Sequence, residues 1–200
     1  MAAEEKRRGE EERTTAETSV EAHICVDGKG EADVETGLGF LDHMLELLAK
    51  HAKFDLYCRA DGDLHVDGHH TTEDVGIVLG TALRDALGDK KGIQRFGDAN
   101  IPMAEALASV AVDIGGRDYL SYSVQFQNAR TGEFDVELIH EFLQAFCRTA
   151  DLTLHVDVVR GANSHHIAEA IFKGIARAMR EAASIDPRSP DEVPSTKGTL

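Results

Sequence analysis

The segment HHTTEDVGIVLGTALRDA at residues 69–86 returns 96 positions later as HHIAEAIFKGIARAMREA at residues 165–182. Both histidines match, as do Glu73 and Glu169, Ala82 and Ala178, Arg84 and Arg180, and Ala86 and Ala182. A period near half of the 200 residues points to a duplicated half-domain, so the fold must be one that a single unit can build twice. Each copy has one apolar face at helical spacing, and such a face needs a partner layer to cover it.

The flanking segments supply that layer. Val20, Ala22, Ile24 and Val26 alternate, residues 27–30 (Asp-Gly-Lys-Gly) read as a turn, and Ala32 and Val34 resume, which predicts a β-hairpin. Residues 40–52 carry Leu41, Met44, Leu45, Leu48 and Ala52 at helical spacing. Residues 54–60 alternate again, 64–67 read as a short return strand, and 69–87 as a second helix closed by Gly88. The second half repeats the order: 106–114 and 119–126 predict a hairpin around Gly115-Gly116-Arg117-Asp118, followed by a helix at 134–150, a strand at 152–159 and a last helix at 165–183. The expectation is an α+β fold of two ββα-type halves, 14–92 and 93–183, with a helical layer sandwiched between two mostly antiparallel four-stranded sheets. Residues 1–13 mix both charge signs and read as a solvated, disordered tail, and 184–200, with three prolines, as a loop.

Composition narrows the function. Lys and Arg number 21 against 36 Asp and Glu, a formal charge of −15, and there is no Trp. That balance argues against nucleic acid and against an anionic membrane surface as partners. No run approaches the ~20 apolar residues of a membrane span, and the first residues lack the apolar stretch of a signal peptide, which predicts a cytoplasmic protein. Cys25, Cys58 and Cys147 match no metal-site spacing and read as reduced packing residues.

The chemistry lies in His-His-x-x-Glu, at His69, His70 and Glu73 and again at His165, His166 and Glu169. One accidental copy is expected on the order of 0.05 times per chain. At a helix start, a His and a Glu three or four positions on share a face and can hold one ion. Adjacent histidines diverge by about 100°, so they serve two ions, with sites shared between subunits. Imidazole and carboxylate without thiolate favour Mn, Fe or Zn, whereas Mg prefers oxygen throughout. Further ligands are expected on the other helix of each half. His43, Leu47 and His51 form one stripe there; aligning Leu56 with Leu154 sets Glu141 opposite His43, with His140 one position earlier, and either is a candidate.

TGLGFLDHMLELLAKHAKFDL, DGHHTTEDVGIVLGTAL, GGRDYL, NSHHIAEAIFKGIARAMR and PSTKG, in this order over residues 14–200, resemble the imidazoleglycerol-phosphate dehydratase family. The resemblance implies a carbon–oxygen lyase of histidine biosynthesis that dehydrates D-erythro-imidazoleglycerol phosphate to imidazoleacetol phosphate. It also implies two Mn²⁺ per active site, no organic cofactor, and active sites at the interfaces of a homo-24-mer. Carried over, the metal ligands are His43, His69, His70, Glu73, His165, His166 and Glu169, with Glu141 in the eighth position, where some relatives have His. Glu17 is implied as the acid/base that moves the carbon-bound proton, with His43, Glu73 and Glu169 completing the catalytic set. Arg95, Arg117, Lys173, Ser195 and Lys197 are implied as phosphate contacts, and His51 as a substrate contact. A non-catalytic metal-binding cage and a metal-dependent phosphoesterase are the rival readings: the first needs no phosphate contacts, and the second releases inorganic phosphate.

Overall fold

The computed structural model describes residues 6–200. The first half runs β1 (Arg8–Thr14), β2 (Thr18–Cys25), β3 (Ala32–Glu35), α1 (Gly39–Ala52), β4 (Asp55–Gly62) and α2 (His69–Leu87). The second runs β5 (Phe96–Met103), β6 (Ala106–Asp113), β7 (Tyr119–Ser123), a two-stranded ribbon β8 (Arg130–Thr131) and β9 (Phe134–Asp135), α3 (Leu138–Ala150), β10 (Thr153–Arg160) and α4 (Ser164–Ala183). Each half builds one four-stranded sheet with the same order, β1-β2-β4-β3 and β5-β6-β10-β7. In both, two pairings are antiparallel and the last is parallel.

The four helices fill the space between the sheets. Helix α2 covers β1 and β2, α4 covers β5 and β6, and the seams between helices are α1 against α4 and α2 against α3. One continuous apolar core results, with Leu41, Met44, Leu45, Phe142 and Phe172 fully enclosed. Helices α2 and α3 approach closely because Gly76 and Gly80 face α3: a Cβ there would lie 2.7 Å from the Phe142 carbonyl and 2.6 Å from that of Phe146. Among the described residues no helix is long and apolar enough to cross a membrane.

Several sequence expectations are corrected. Residues 8–13 belong to an edge strand, with Arg8 opposite Cys25 and Thr14 opposite Ser19, rather than to a tail; residues 1–5 lie outside the described residues. The strand is cryptic because its closest approach to α2 is made by Gly9, where a Cβ would lie 2.0 Å from the Ala82 carbonyl. Strand β5 escapes the same way, with Gly97 against Ala178. Neither predicted hairpin forms: β4 inserts between β2 and β3, and β10 between β6 and β7. Alternation reveals a strand but not its partner. Residues 64–67 make a turn, and 134–135 pair as β9 before α3 begins at Leu138. The segment 184–200 forms neither helix nor named strand, and folds back over the start of β5, with Gly92 N–H donating to Glu192 at 2.8 Å.

Candidate active site

The α1–α4 seam brings together His43, His165 and Glu169, whose ligand atoms all lie within 4.8 Å of one another. Helix α1 is held at its start by Asp42, which accepts from the Thr36 backbone N–H at 2.8 Å and its hydroxyl at 2.6 Å. Helix α4 is capped by Asn163, whose side chain accepts from the backbone N–H of His165 and His166. With both starts fixed, His43 Nε2 and His165 Nε2 meet Glu169 Oε1 at 3.0 and 3.1 Å. Lys173, one turn on, pairs with the other oxygen, Oε2. Burial raises the Glu169 pKa, but hydrogen bonds from Lys173, His43 and His165 outweigh it and bring the carboxyl to about 2. His51, two turns along α1 from His43, is pushed down by burial and by the charges of Lys173 and Arg177, which favours a neutral imidazole.

On the α2–α3 seam, His69 Nε2 lies 4.0 Å from Glu73, and Glu73 lies 3.6 Å from Arg148 of α3. Helices α1 and α3 end alike, at Lys53 and Asp151, both left-handed with φ of 64° and 51°. Counting back from these caps sets Glu141 opposite His43. His140 turns to the Tyr122 ring, centroid to centroid 5.2 Å, and its Nδ1 donates to Glu141 Oε1 at 3.3 Å.

The second histidine of each pair faces elsewhere. The rings of His69 and His70 stand at 90°, as do those of His165 and His166. His70 Nδ1 donates to Asp63 at 3.0 Å, and this bond raises its pKa. His166 Nδ1 donates to Glu105 at 2.7 Å. Glu105 also accepts from the backbone N–H of Asn163 and Ala162; the Asn163 bond and then the His166 bond hold its carboxyl at about 2. A carboxylate can only accept, so Nδ1 carries the hydrogen in both rings, and in the neutral ring Nε2 is left with the lone pair. Glu17, in the turn between β1 and β2, is held by the Thr15 hydroxyl on its backbone N–H and lies 3.8 Å from His70.

The anticipated phosphate contacts divide. Lys173 stays on the α1–α4 seam. Arg95, at the mouth of β5, binds Asp113 through Nε and Nη2 at 2.7 and 3.1 Å and donates from Nη1 to the Pro194 carbonyl at 3.0 Å. Three of its five N–H groups are engaged and two remain. Arg117 follows the Gly115-Gly116 turn, and Ser195 and Lys197 lie in the C-terminal segment that crosses Arg95.

A family model for imidazoleglycerol-phosphate dehydratase matches residues 36–179. Imidazoleglycerol-phosphate dehydratase of Azorhizobium caulinodans is 56% identical over 194 residues, covering 97% of this chain and 98% of its own. That of Granulibacter bethesdensis is 58% identical over 189 residues, covering 94% and 96%. This chain belongs to the imidazoleglycerol-phosphate dehydratase family. Crystal structures of imidazoleglycerol-phosphate dehydratase share the fold: the Staphylococcus aureus protein at TM-score 0.82 and 41% identity over 90% of this chain and 99% of that one, and the Pyrococcus furiosus protein, in complex with (S)-C348, at 0.82 and 38% over 95% and 100%.

Within this dehydratase family chain, one subunit gathers three of the eight anticipated ligands at a point, and among the described residues no other such group forms. Sequence reasoning missed Asp63 and Glu105, the carboxylates that orient His70 and His166. Asp63, in the loop after β4, carries no repeat signal, whereas Glu105, in the turn between β5 and β6, holds the place that Glu17 holds between β1 and β2, and the repeated order of strands is the signal that could have found it.

Proposed function

We propose that this chain dehydrates imidazoleglycerol phosphate to imidazoleacetol phosphate in histidine biosynthesis, using two Mn²⁺ per active site and no organic cofactor. The observation that carries the reading is the convergence of His43, His165 and Glu169 in a chain of this family. Two imidazole nitrogens and one carboxylate oxygen fit Mn²⁺ and do not suit Mg²⁺. His165 and Glu169 with His43 would hold one ion, and His69 and Glu73 with Glu141 the other. The second histidines support active sites at subunit interfaces of a homo-24-mer: the rings of His70 and His166 stand at 90° to those of His69 and His165, so their Nε2 atoms would be available to a neighbour's ions. The repeated order of elements supports descent from a duplicated half.

The proton to be removed sits on carbon beside the substrate's imidazole, where it is barely acidic. The bound ions would supply the electrostatic stabilisation that makes this ring an electron sink. The chain's own residues do the rest. Glu17, exposed and 3.8 Å from His70, would take the carbon-bound proton and return one. His51, favoured neutral, can accept or donate a hydrogen bond to a substrate hydroxyl. Arg117, Lys197, Ser195 and the two free N–H groups of Arg95 would meet the phosphate together, and Lys173 would reach it from the α1–α4 seam. Incubating the Mn-loaded protein with imidazoleglycerol phosphate tests the reading: imidazoleacetol phosphate is the expected product. Release of inorganic phosphate instead would identify a phosphoesterase, and no turnover a metal-binding cage.

A further inference from the structure

The two halves hold the turn before their second strand in different ways. Glu17, between β1 and β2, and Glu105, between β5 and β6, stand at matching places, as do Gly9 and Gly97 in the strands before them. Glu105 is tied down by its own carboxylate, which accepts from His166 and from the backbone N–H of Asn163 and Ala162. The Glu17 carboxylate is exposed, makes no hydrogen bond among the described residues and stands 3.8 Å from His70, whose Nδ1 is taken by Asp63. A carboxylate left free to exchange a proton cannot also hold its own turn, so that turn needs another anchor.

Asp74 supplies one. It follows Glu73 in α2, and adjacent side chains of a helix diverge by about 100°, so Glu73 meets Arg148 of α3 while Asp74 meets β1 and β2. Asp74 is only 8% exposed; its Oδ1 accepts from Arg13 Nε at 3.0 Å and its Oδ2 from the Thr18 hydroxyl. It therefore grips the end of β1 and the start of β2, on either side of Glu17. Within the turn, the Thr15 hydroxyl accepts from the backbone N–H of Glu17 and Thr18 at 3.1 and 3.0 Å, and Asp63 N–H donates to the Glu17 carbonyl at 3.1 Å. Asp74 is the side-chain tie from this turn to the helix that carries His69, His70 and Glu73.

Packing alone does not require a carboxylate here. Arg13 pairs with Val20 as Ile101 pairs with Ala108, so the places of Arg13, Thr18 and Asp74 are taken in the second half by Ile101, Ala106 and Ala170. Ala106 and Ala170 are buried, and that half joins its sheet to α4 with an apolar residue at each of the three positions. A buried ion pair rarely stabilises more than well-packed apolar residues of the same volume. The polar set stands only in the half whose turn carries a free carboxylate.

We propose that Asp74 is a positioning residue for the dehydration: by accepting from Thr18 and Arg13 it fixes the turn that holds Glu17 beside His70. This deepens the function proposed above and rests on it. The rival role is a purely structural tie between α2 and the β1–β2 pair.

The Mn-loaded full-length protein carrying Thr18→Val with Asp74→Leu, Thr18→Val alone or Thr18→Ser is compared with wild type, each with and without Glu17→Gln, for kcat, KM and urea stability. Replacing both partners of a buried hydrogen bond by apolar groups of similar shape costs little stability. Freeing the turn should nevertheless lower kcat up to about 100-fold, the effect of a displacement near 1 Å, with KM within about 3-fold of wild type. Thr18→Ser keeps the hydroxyl and should keep most of kcat. In the Glu17→Gln background, itself slow, the same changes should lower kcat no further, since Asp74 acts through Glu17. A wild-type kcat in the Thr18→Val proteins overturns the proposal, as does a loss that adds in full to that of Glu17→Gln or that merely follows the loss of folded protein. Glu17→Gln turning over at the wild-type rate overturns it too, while leaving the dehydration itself standing. Should the double variant not fold, Thr18→Val alone decides. If wild type performs no dehydration, crystal structures of wild type and Thr18→Val decide the positioning separately from the reaction. Glu17 moved from His70 by more than about 1 Å with α2 in place supports the assignment, and Glu17 unmoved refutes it.

Discussion

Gly97 joins a packing contact to Arg95, the proposed phosphate contact, and its replacement by alanine tests both. A Cβ at this position would lie 2.1 Å from the Ala178 carbonyl oxygen, 2.9 Å from Ala182 N and 3.0 Å from the Ala178 carbonyl carbon. Non-bonded heavy atoms prefer about 3.5 Å or more, so β5 must retreat from α4 by about 1 Å. The obstacle is helix backbone, which cannot rotate aside, and the cost therefore belongs near the upper end of overpacking, about 3 kcal/mol. Gly9→Ala meets Ala82 at 2.0 Å on the opposite sheet, so it should cost about the same and add nearly independently. Gly39→Ala is the control: nothing lies within 4 Å, and in a helix the change should stabilise by about 0.5–1 kcal/mol. Only Gly97 borders Arg95, whose backbone N–H donates to Ala182 at 2.9 Å beside the Gly97 contact. Gly97→Ala should therefore raise KM for the phosphorylated substrate, up to about 100-fold for a displacement of this size, whereas Gly9→Ala should leave KM near wild type. Urea unfolding by circular dichroism at fixed protein and Mn²⁺ concentration gives the stabilities, and steady-state assays give KM. A Gly97→Ala protein with the midpoint of Gly39→Ala, or with a wild-type KM, would refute the reasoning.

Dialysis against a chelator should abolish turnover and restoring Mn²⁺ should recover it, with light scattering showing whether the assembly loosens in between; full turnover after chelation contradicts the metal role. Glu105→Gln removes the carboxylate that fixes the His166 ring and should weaken Mn²⁺ binding about 10- to 100-fold by calorimetric titration. Glu105 and Glu169 are both lowered from 4.5 to about 2, so the stability they contribute is present above pH 4.5 and lost as pH falls from there toward 2. In chelated protein, Glu105→Gln should flatten the fall of urea stability across that window, and an unchanged slope would contradict the assignment. Activity should decline below about pH 6 as ligand imidazoles take up protons, and a profile flat to pH 5 would tell against them as ligands.

What the sequence made legible divides by the range of the interaction. Helices α1, α2 and α4 are visible to within a residue because apolar residues recur along one local face and the ends carry their own signals, such as Gly88 after Leu87. The His-His-x-x-Glu motif is visible for the same reason, since four positions of a helix fix the relation of His165 to Glu169. Strands β1 and β5 are hidden because their closest approach to a helix is made by glycine, so the residue that matters most for packing is the one with no side chain to betray it. The partners of β3 and β7 are hidden because β4 and β10 arrive later in the chain and insert themselves. The same limit governs the site. His43 meets Glu169 across 126 positions and His166 meets Glu105 across 61, and no periodicity reports such a distance. The duplication narrows the problem without solving it, because the copies have diverged where chemistry is added. Lys173 neutralises Glu169 from its own helix, whereas the matching position near Glu73 is Ile77, and the cation there is Arg148, supplied by α3. Two seams of one ancestry thus balance their carboxylates by different routes, so exchanging Lys173 and Ile77 should unbalance the α1–α4 seam without reproducing its charge on the other.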